Sequence, residues 1–204
     1  MTTRICKGLV SLSMIFLTAE ASATFAGNLT VSGGVSPARC EVLVPNNGVY
    51  DLGLINTLDS TLGPKALPPV TRTWRIRCDN PTTLAVIPED NRATSAGSIG
   101  NTHFGIGGDG EASLGYFELG ISRARTDQRA VMLKTAERPA SGGGITPLLP
   151  DKRSQWVTED NIVQAGKVFD VDITVYPWIN PRTRMVMDQV KFDGSVTLNF
   201  IFGL

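Results

Sequence analysis

The stretch Val190-Lys-Phe-Asp-Gly-Ser-Val-Thr-Leu-Asn-Phe-Ile-Phe202, near the end of the chain, decides the fold class. Every second residue in it is apolar or glycine: Val190, Phe192, Gly194, Val196, Leu198, Phe200 and Phe202. Successive side chains of a strand point to opposite faces, so this row predicts a β-strand with one face in a core. Since no returning strand follows it, the strand is expected to leave an edge that pairs with another segment.

Short alternating runs separated by turn signals make up most of the remaining chain. The other predicted strands are residues 29–35, 40–44, 50–55, 70–78, 83–87, 103–106, 116–121, 130–133 and 167–176. Asn80-Pro81 is a predicted turn, and residues 135–153, which contain Ser-Gly-Gly-Gly, are a predicted loop. No stretch keeps a helical period, so the sequence predicts an all-β fold built as a two-sheet antiparallel sandwich.

Residues 1–23 have the composition of a secretory signal peptide. Arg4 and Lys7 precede an apolar run over residues 9–17, which is too short to span a membrane. Ala21-Ser22-Ala23 fits the small-x-small rule for cleavage between Ala23 and Thr24. The sequence therefore predicts an exported protein.

Cleavage at that point also removes Cys6 and leaves two cysteines, Cys40 and Cys78. Disulfides persist in oxidising compartments, so these two cysteines are predicted to pair. Closing a loop of this length stabilises a fold by about 4 kcal/mol in the chain-entropy treatment of disulfides.

Charge and motifs argue against several functional classes. The chain has 19 basic and 19 acidic residues, and a near-neutral chain lacks the electrostatic footprint for nucleic acid or anionic membranes. Residues 105–110 match G-x-G-x-x-G, but a strand pattern follows where a phosphate-binding helix is needed, so they predict a hairpin loop. His103 is the only histidine, and no nucleophile elbow accompanies it. We therefore predict no metal site and no cofactor.

The charged residues of the predicted strands also favour a non-catalytic protein. Asp170 and Asp172 are spaced so that both lie on the outer face of a strand, where a solvated position is preferred over a catalytic acid. Solvated positions are likewise predicted for Arg72, Arg75 and Arg77. Asp90-Asn91-Arg92 predicts a turn in which the Asp and Asn side chains bond nearby backbone. The sequence therefore predicts a structural or binding role, not an enzyme.

Several features then occur in one order: the signal peptide, an alternating segment, the two cysteines and the terminal strand. In this order the chain resembles the subunits of chaperone–usher fimbriae, or pili. The matching residues are Leu-Thr-Val-Ser-Gly-Gly-Val at 29–35 before Cys40, Tyr50-Asp51-Leu52-Gly53, Ile76-Arg77-Cys78-Asp79, Asp90-Asn91-Arg92, and Asp-Gly-Ser-Val-Thr-Leu-Asn-Phe at 193–200. The Asp-Asn-Arg and Asp-Gly-Ser pieces are similar to a poorly characterised fimbrial branch catalogued as a domain of unknown function.

The resemblance implies an incomplete immunoglobulin-like sandwich, residues 37–204, preceded by an N-terminal donor strand, residues 24–36. In such subunits an extended segment from another chain completes the sheet. The implied groove wall is Val196, Leu198, Phe200 and Phe202. The implied inserting residues are Leu29, Val31 and Val35, with Gly33 where the two backbones approach closely.

The same resemblance implies partners and a location. The partners are a periplasmic pilus chaperone, an outer-membrane usher and neighbouring fimbrial subunits, and the location is a cell-surface fimbrium that serves adhesion. The chain departs from the usual pilin in three respects: Gly203 is the penultimate residue and the aromatic Phe202 precedes it, Gly194 lies closer to the terminus, and residues 105–151 are longer and richer in glycine.

A second hypothesis is an exported, self-contained β-sandwich that binds carbohydrate or acts as a surface adhesin. In that case residues 24–36 pair within their own domain. The candidates for stacking on sugars are Trp74, Trp156 and Trp178, of which Trp74 is predicted to lie in the core.

Overall fold

The computed structural model describes residues 37–53, 64–95, 101–108, 110–135, 144–180 and 192–203, together with Gly34. The predicted signal peptide, its cleavage site at Ala23 and Thr24, and the donor residues Leu29, Val31, Gly33 and Val35 lie outside the described residues. The chain divides into two units, Met1–Val35 and Ser36–Leu204. The second unit contains every element described below.

The second unit is built almost entirely from β-strands, in agreement with the predicted all-β class. The strands are β1 (Cys40–Leu43), β2 (Lys65–Ala66), β3 (Val70–Asp90), β4 (Phe104–Gly108), β5 (Gly110–Thr126), β6 (Arg129–Ala130), β7 (Met132–Thr135), β8 (Thr146–Leu148), β9 (Ser154–Val157), β10 (Ala165–Ile179), β11 (Phe192–Gly194) and β12 (Val196–Gly203). The helical elements among the described residues are two short 3₁₀ turns, Pro45–Gly48 and Ala93–Ser95.

The strands form one curled antiparallel sheet in the order β11-β4-β5-β10-β3-β9-β7. Two further strands pair with β3: β1 pairs with its residues 75–78 and β12 with its residues 83–90. At Thr83 the neighbours are Ala165 of β10 and Gly203 of β12, so β12 lies on the side of β3 away from β10.

β3 is the longest strand, at 21 residues, and it joins two strands that the sequence predicts separately. The predicted turn at Asn80-Pro81 is therefore wrong. The pairing with β10 shifts there, because Arg77 pairs with Val168 while Thr82 pairs with Gly166. Pro81 lies in this irregular stretch, where its missing N–H does not break the ladder.

Two other predictions need correction. Residues 50–53 are not a strand, and Gly53 adopts a positive φ of 68°. The predicted loop 135–153 contains β8, in which Leu148 pairs with Leu119 and is fully buried. A three-residue strand with proline at its centre is too short for a visible alternation, which explains why the pattern missed it.

Alternating side chains of β3, β10, β5 and β4 fill one continuous core. Across β3 and β10, Trp74 is opposite Val171 and Ile76 is opposite Phe169. Residues from the second half of β3 and from β7 and β9, including Leu84, Leu133 and Trp156, belong to the same cluster. The predicted inner row of β12 packs against this cluster, but its members are half-buried.

Candidate functional site

An open groove of about 1130 Å³ lies beside β12, over the inner face of strands β3, β4, β5 and β10. Its floor is the apolar inner face of the sheet, and its lining there consists of Trp74, Ile106, Phe117, Leu119, Ile173, Val175 and Pro177. β12 forms one wall. Val42 of β1 and residues 44 and 47–53 bound the other side, and residues 44–53 are called the strap below.

The β12 wall presents Val196, Leu198 and Phe200 to the groove. The inner residues of this strand are half-buried, while Thr197, Asn199 and Ile201 on its other face are exposed. Phe202, the fourth predicted wall residue, packs against the core cluster. Among the described residues β12 pairs with β3 alone, so the backbone N–H and C=O groups of its second edge have no strand partner there.

The strap is an apolar rim. It contains Val44 and Val49, which are 39% and 55% exposed, on either side of the turn Pro45–Gly48. In that turn Asn46 and Asn47 adopt the left-handed backbone that asparagine tolerates. Apolar side chains at the rim of an apolar groove favour an apolar occupant.

Tyr50 fixes the strap at one end of the groove. The indole N–H of Trp74 donates to the Tyr50 hydroxyl at 2.9 Å, and this hydroxyl donates to the backbone oxygen of Ile173 at 3.3 Å. Burial raises the pKa of the Tyr50 phenol, although the Trp74 hydrogen bond and the charge of Arg72 act in the opposite direction. The Trp74 and Phe200 rings, with centroids 6.1 Å apart, bring the floor and the β12 wall together at this end.

The predicted disulfide between Cys40 and Cys78 is present. It links β1 to β3 at the first pair of their ladder, where the two cysteines are directly opposite each other. The bond therefore holds the β1 side of the groove to the strand that also carries β12.

The outer face of the sheet carries the charged residues. Asp170 forms an ion pair with Arg75, whose Nε lies 2.5 Å from a carboxylate oxygen, and Arg77 is exposed. Asp172 is only 3% exposed, so its predicted solvated position is wrong. Neighbouring strands cover it, because Thr73 Oγ1 donates to its carboxylate at 2.6 Å and Arg123 Nε donates at 2.5 Å.

The prediction for Arg72 is also corrected. Arg72 is half-buried because it shares the inner parity of Trp74 and is opposite Ile173 of β10. The alternation in residues 70–78 places Arg72 on the same face as Trp74. The prediction instead grouped it with Arg75 and Arg77, which have the opposite parity.

The remaining candidates are the glycine-rich residues, His103 and the tryptophans. Residues 105–108 are in β4 and Gly110 begins β5, with Gly108 opposite Gly110, so the predicted hairpin is present but most of its predicted loop is strand. The His103 ring stacks on Tyr116 at 3.8 Å, and Tyr116 stacks on Trp178 at 6.0 Å. Trp156 is fully buried and Trp74 lines the groove. The sequence did not identify the strap as part of the groove, although its paired valines and Tyr50 are the signal that could have done so.

Within the described ranges, no group of three or more His, Cys, Asp or Glu residues is placed to hold a metal ion. No helix in these ranges is long and apolar enough to cross a membrane. No protein-family model matches the chain, and no curated protein sequence does so either. The resemblance to fimbrial subunits therefore stays a prediction from the residues.

Proposed function

We propose that the protein is a structural subunit of a chaperone–usher fimbria, completed by a strand from another chain. The observation that carries the proposal is the groove beside β12, where an apolar floor meets a strand whose second edge is unpaired within the described ranges. An extended peptide adding to such an edge gains main-chain hydrogen bonds, and its alternate side chains gain apolar burial. In this proposal the curled sheet is an incomplete immunoglobulin-like sandwich, and the occupant is its missing strand.

The edge of β12 lacks the features that usually protect a free strand. Between Val196 and Gly203 the sequence has no charged residue and no proline. Soluble proteins blunt exposed edges with lysine, proline, bulges or short strands. An unprotected edge of eight residues beside an apolar floor is consistent with an edge that is covered in use.

We propose residues 24–36 of a neighbouring subunit as the final occupant. Eight residues of β12 span about 26 Å, and thirteen extended residues reach beyond that length. Leu29, Val31 and Val35 share one face of this segment. Burying three such side chains contributes about 5–9 kcal/mol before ordering costs are subtracted. Gly33 then lies where the donor and groove backbones approach most closely.

The proposed export, chaperone, usher and adhesive role rest on the resemblance to fimbrial subunits. After export, cleavage between Ala23 and Thr24 frees the segment to insert into another subunit. Before that exchange a periplasmic chaperone covers the groove, and an outer-membrane usher passes the subunit to the fimbrium. Adhesion is then the task of the assembled fibre.

The test is to supply the strand within one chain. Residues 24–36 are appended after Leu204 through a short Gly/Ser linker, so that they fold back along the free edge of β12. The matched control carries Leu29→Asp and Val31→Asp in the appended copy. We expect the appended chain to be a soluble monomer that unfolds at higher urea than the control.

Two outcomes contradict the proposal. One is equal stability of the appended chain and its control. The other is an unmodified chain that accumulates in the periplasm as a stable monomer without a chaperone, because an uncovered groove is expected to aggregate. Deleting residues 24–36 separates the alternative, since a self-contained module loses stability whereas a fimbrial subunit keeps chaperone binding and loses assembly.

A further inference from the structure

The C-terminal segment crosses between two parts of the sheet at Ser195. β11 before it pairs with β4, and β12 after it pairs with β3. This crossing forms the end of the groove opposite Tyr50, where Asp193, Gly194 and Val196 meet Ile106 and Phe117. The position of Ser195 therefore sets how far β12 stands from the floor.

Asn91 holds the segment at this crossing. Its backbone N–H donates to the Ser195 carbonyl at 3.0 Å. Its side-chain amide donates to Ser195 Oγ at 3.0 Å and to Thr197 Oγ1 at 3.1 Å. One residue thus binds the chain on both sides of the point where it changes partner strand.

Arg92 and Asp90 extend the attachment in two directions. Arg92 Nη2 lies 2.6 and 2.5 Å from the two carboxylate oxygens of Asp193. Asp90 accepts from the backbone N–H of Arg92 at 2.8 Å, as predicted for this turn, and from that of Gly105 in β4 at 2.9 Å. The prediction that the Asn91 side chain bonds nearby backbone is wrong, because it bonds the hydroxyls of Ser195 and Thr197. Residues 90–92 therefore connect β3, β4 and the crossing, and the contacts of Asn91 and Arg92 are called the clasp below.

The crossing is also packed closely against the floor. A Cβ atom at Gly194 would lie 2.5 Å from Phe117 Cε1 and 3.1 Å from the Gly105 carbonyl oxygen. A side chain at Gly194 would therefore require the Phe117 ring to shift. The clasp maintains that position from the solvent side.

We propose that Asn91 and Arg92 are positioning residues, which keep this end of the groove preformed so that an incoming strand can begin to pair there. The inference rests on the proposed function. The Arg92 and Asp193 side chains are 37% and 58% exposed, and exposed ion pairs add little to global stability. A clasp of this kind acts mainly by reducing the conformational entropy that the groove loses when a strand binds.

The experiment measures capture of a fluorescently labelled peptide of residues 24–36 by the full chain at low protein concentration. The variants are Asn91→Ala and Arg92→Gln, singly and together, with Ser195→Ala as a milder change. The matched control is Arg75→Gln, because Arg75 forms a similar exposed ion pair with Asp170 on the outer face. Urea unfolding of each variant without peptide reports stability separately.

We expect the double variant to lower the association rate constant about tenfold, while Arg75→Gln leaves it unchanged. Ser195→Ala is expected to lower it less than the double variant does. If the unmodified chain captures the peptide and the clasp variants match Arg75→Gln, the inference is overturned while the proposed function stands. If the unmodified chain captures no peptide, the proposed function fails and the inference fails with it.

Discussion

The two margins of the core are built from similar residues and differ in how they are covered. On one margin, β9 places Trp156 and Val157 at 0–1% exposure. On the other margin, the inner row of β12 is equally apolar but half-buried. β9 pairs with β3 and with β7, whereas β12 pairs with β3 alone among the described residues. Full burial of β9 therefore goes with strands on both of its edges, whereas β12 has a strand on only one edge in the described part of the chain.

The largest expected effect contrasts Trp156→Ala with Leu198→Ala. Removing a fully buried tryptophan lowers the free energy of unfolding by about 3–5 kcal/mol, since it leaves a cavity. Leu198 is only partly buried, so its truncation is expected to cost about 1 kcal/mol in the chain without an occupant. Urea unfolding measures the costs of Trp156→Ala and Leu198→Ala. Each cost is measured in the unmodified chain at low protein concentration and in the chain with appended residues 24–36.

Filling the groove should change only one of these values. In the appended chain the cost of Leu198→Ala rises toward that of a buried leucine, about 2–3 kcal/mol, while the cost of Trp156→Ala stays the same. Equal costs for Leu198→Ala in the two chains would show that the appended segment does not cover β12.

Much of this comparison was accessible from the sequence. The alternation in residues 190–202 predicted the inner row of β12, because period two is a local property of the chain. The pairing of Cys40 with Cys78 was predicted from the expected export of the chain, and the structure contains it. The continuous course of β3 through Asn80-Pro81 was not predictable, because the opposite strand, about ninety residues away, accommodates the irregularity. The burial of Asp172 also depends on a distant residue, Arg123 of β5.

A second prediction separates stability from groove binding and uses the outer face. Asp172→Asn removes the charge that accepts hydrogen bonds from Thr73 and Arg123, and it is expected to lower the free energy of unfolding by about 1–3 kcal/mol. Asp170→Asn is the matched control and should have little effect, because the Asp170 side chain is more exposed than that of Asp172 and pairs with the exposed Arg75. Both carboxylates face away from the groove, so neither change should alter capture of the 24–36 peptide once folded protein is counted. A loss of capture by folded Asp172→Asn protein would mean that the groove depends on the outer face.

The smallest expected effect concerns Tyr50, which lies at the strap end of the groove. Tyr50→Phe removes the hydroxyl that bridges Trp74 and Ile173, and it is expected to cost about 1 kcal/mol near neutral pH. The pKa of Tyr50 is raised above its ordinary value of 10.0, chiefly by burial, so the folded protein holds the phenolic proton more tightly than the unfolded chain. The corresponding stabilisation is fully present below the unfolded pKa and is lost as pH rises through the folded pKa.

Alkaline unfolding can therefore report on the groove. The pKa of Tyr116 is also raised by burial, but Tyr116 is present in both chains, so the difference between the parent and Tyr50→Phe isolates Tyr50. Urea unfolding at several pH values above about 10 should show a shallower loss of stability in Tyr50→Phe. Because an occupant covers Tyr50 further, the appended chain should lose stability more steeply than the empty chain over the same range. Identical slopes in the empty and appended chains would place the occupant away from Tyr50, toward the Ser195 end of the groove.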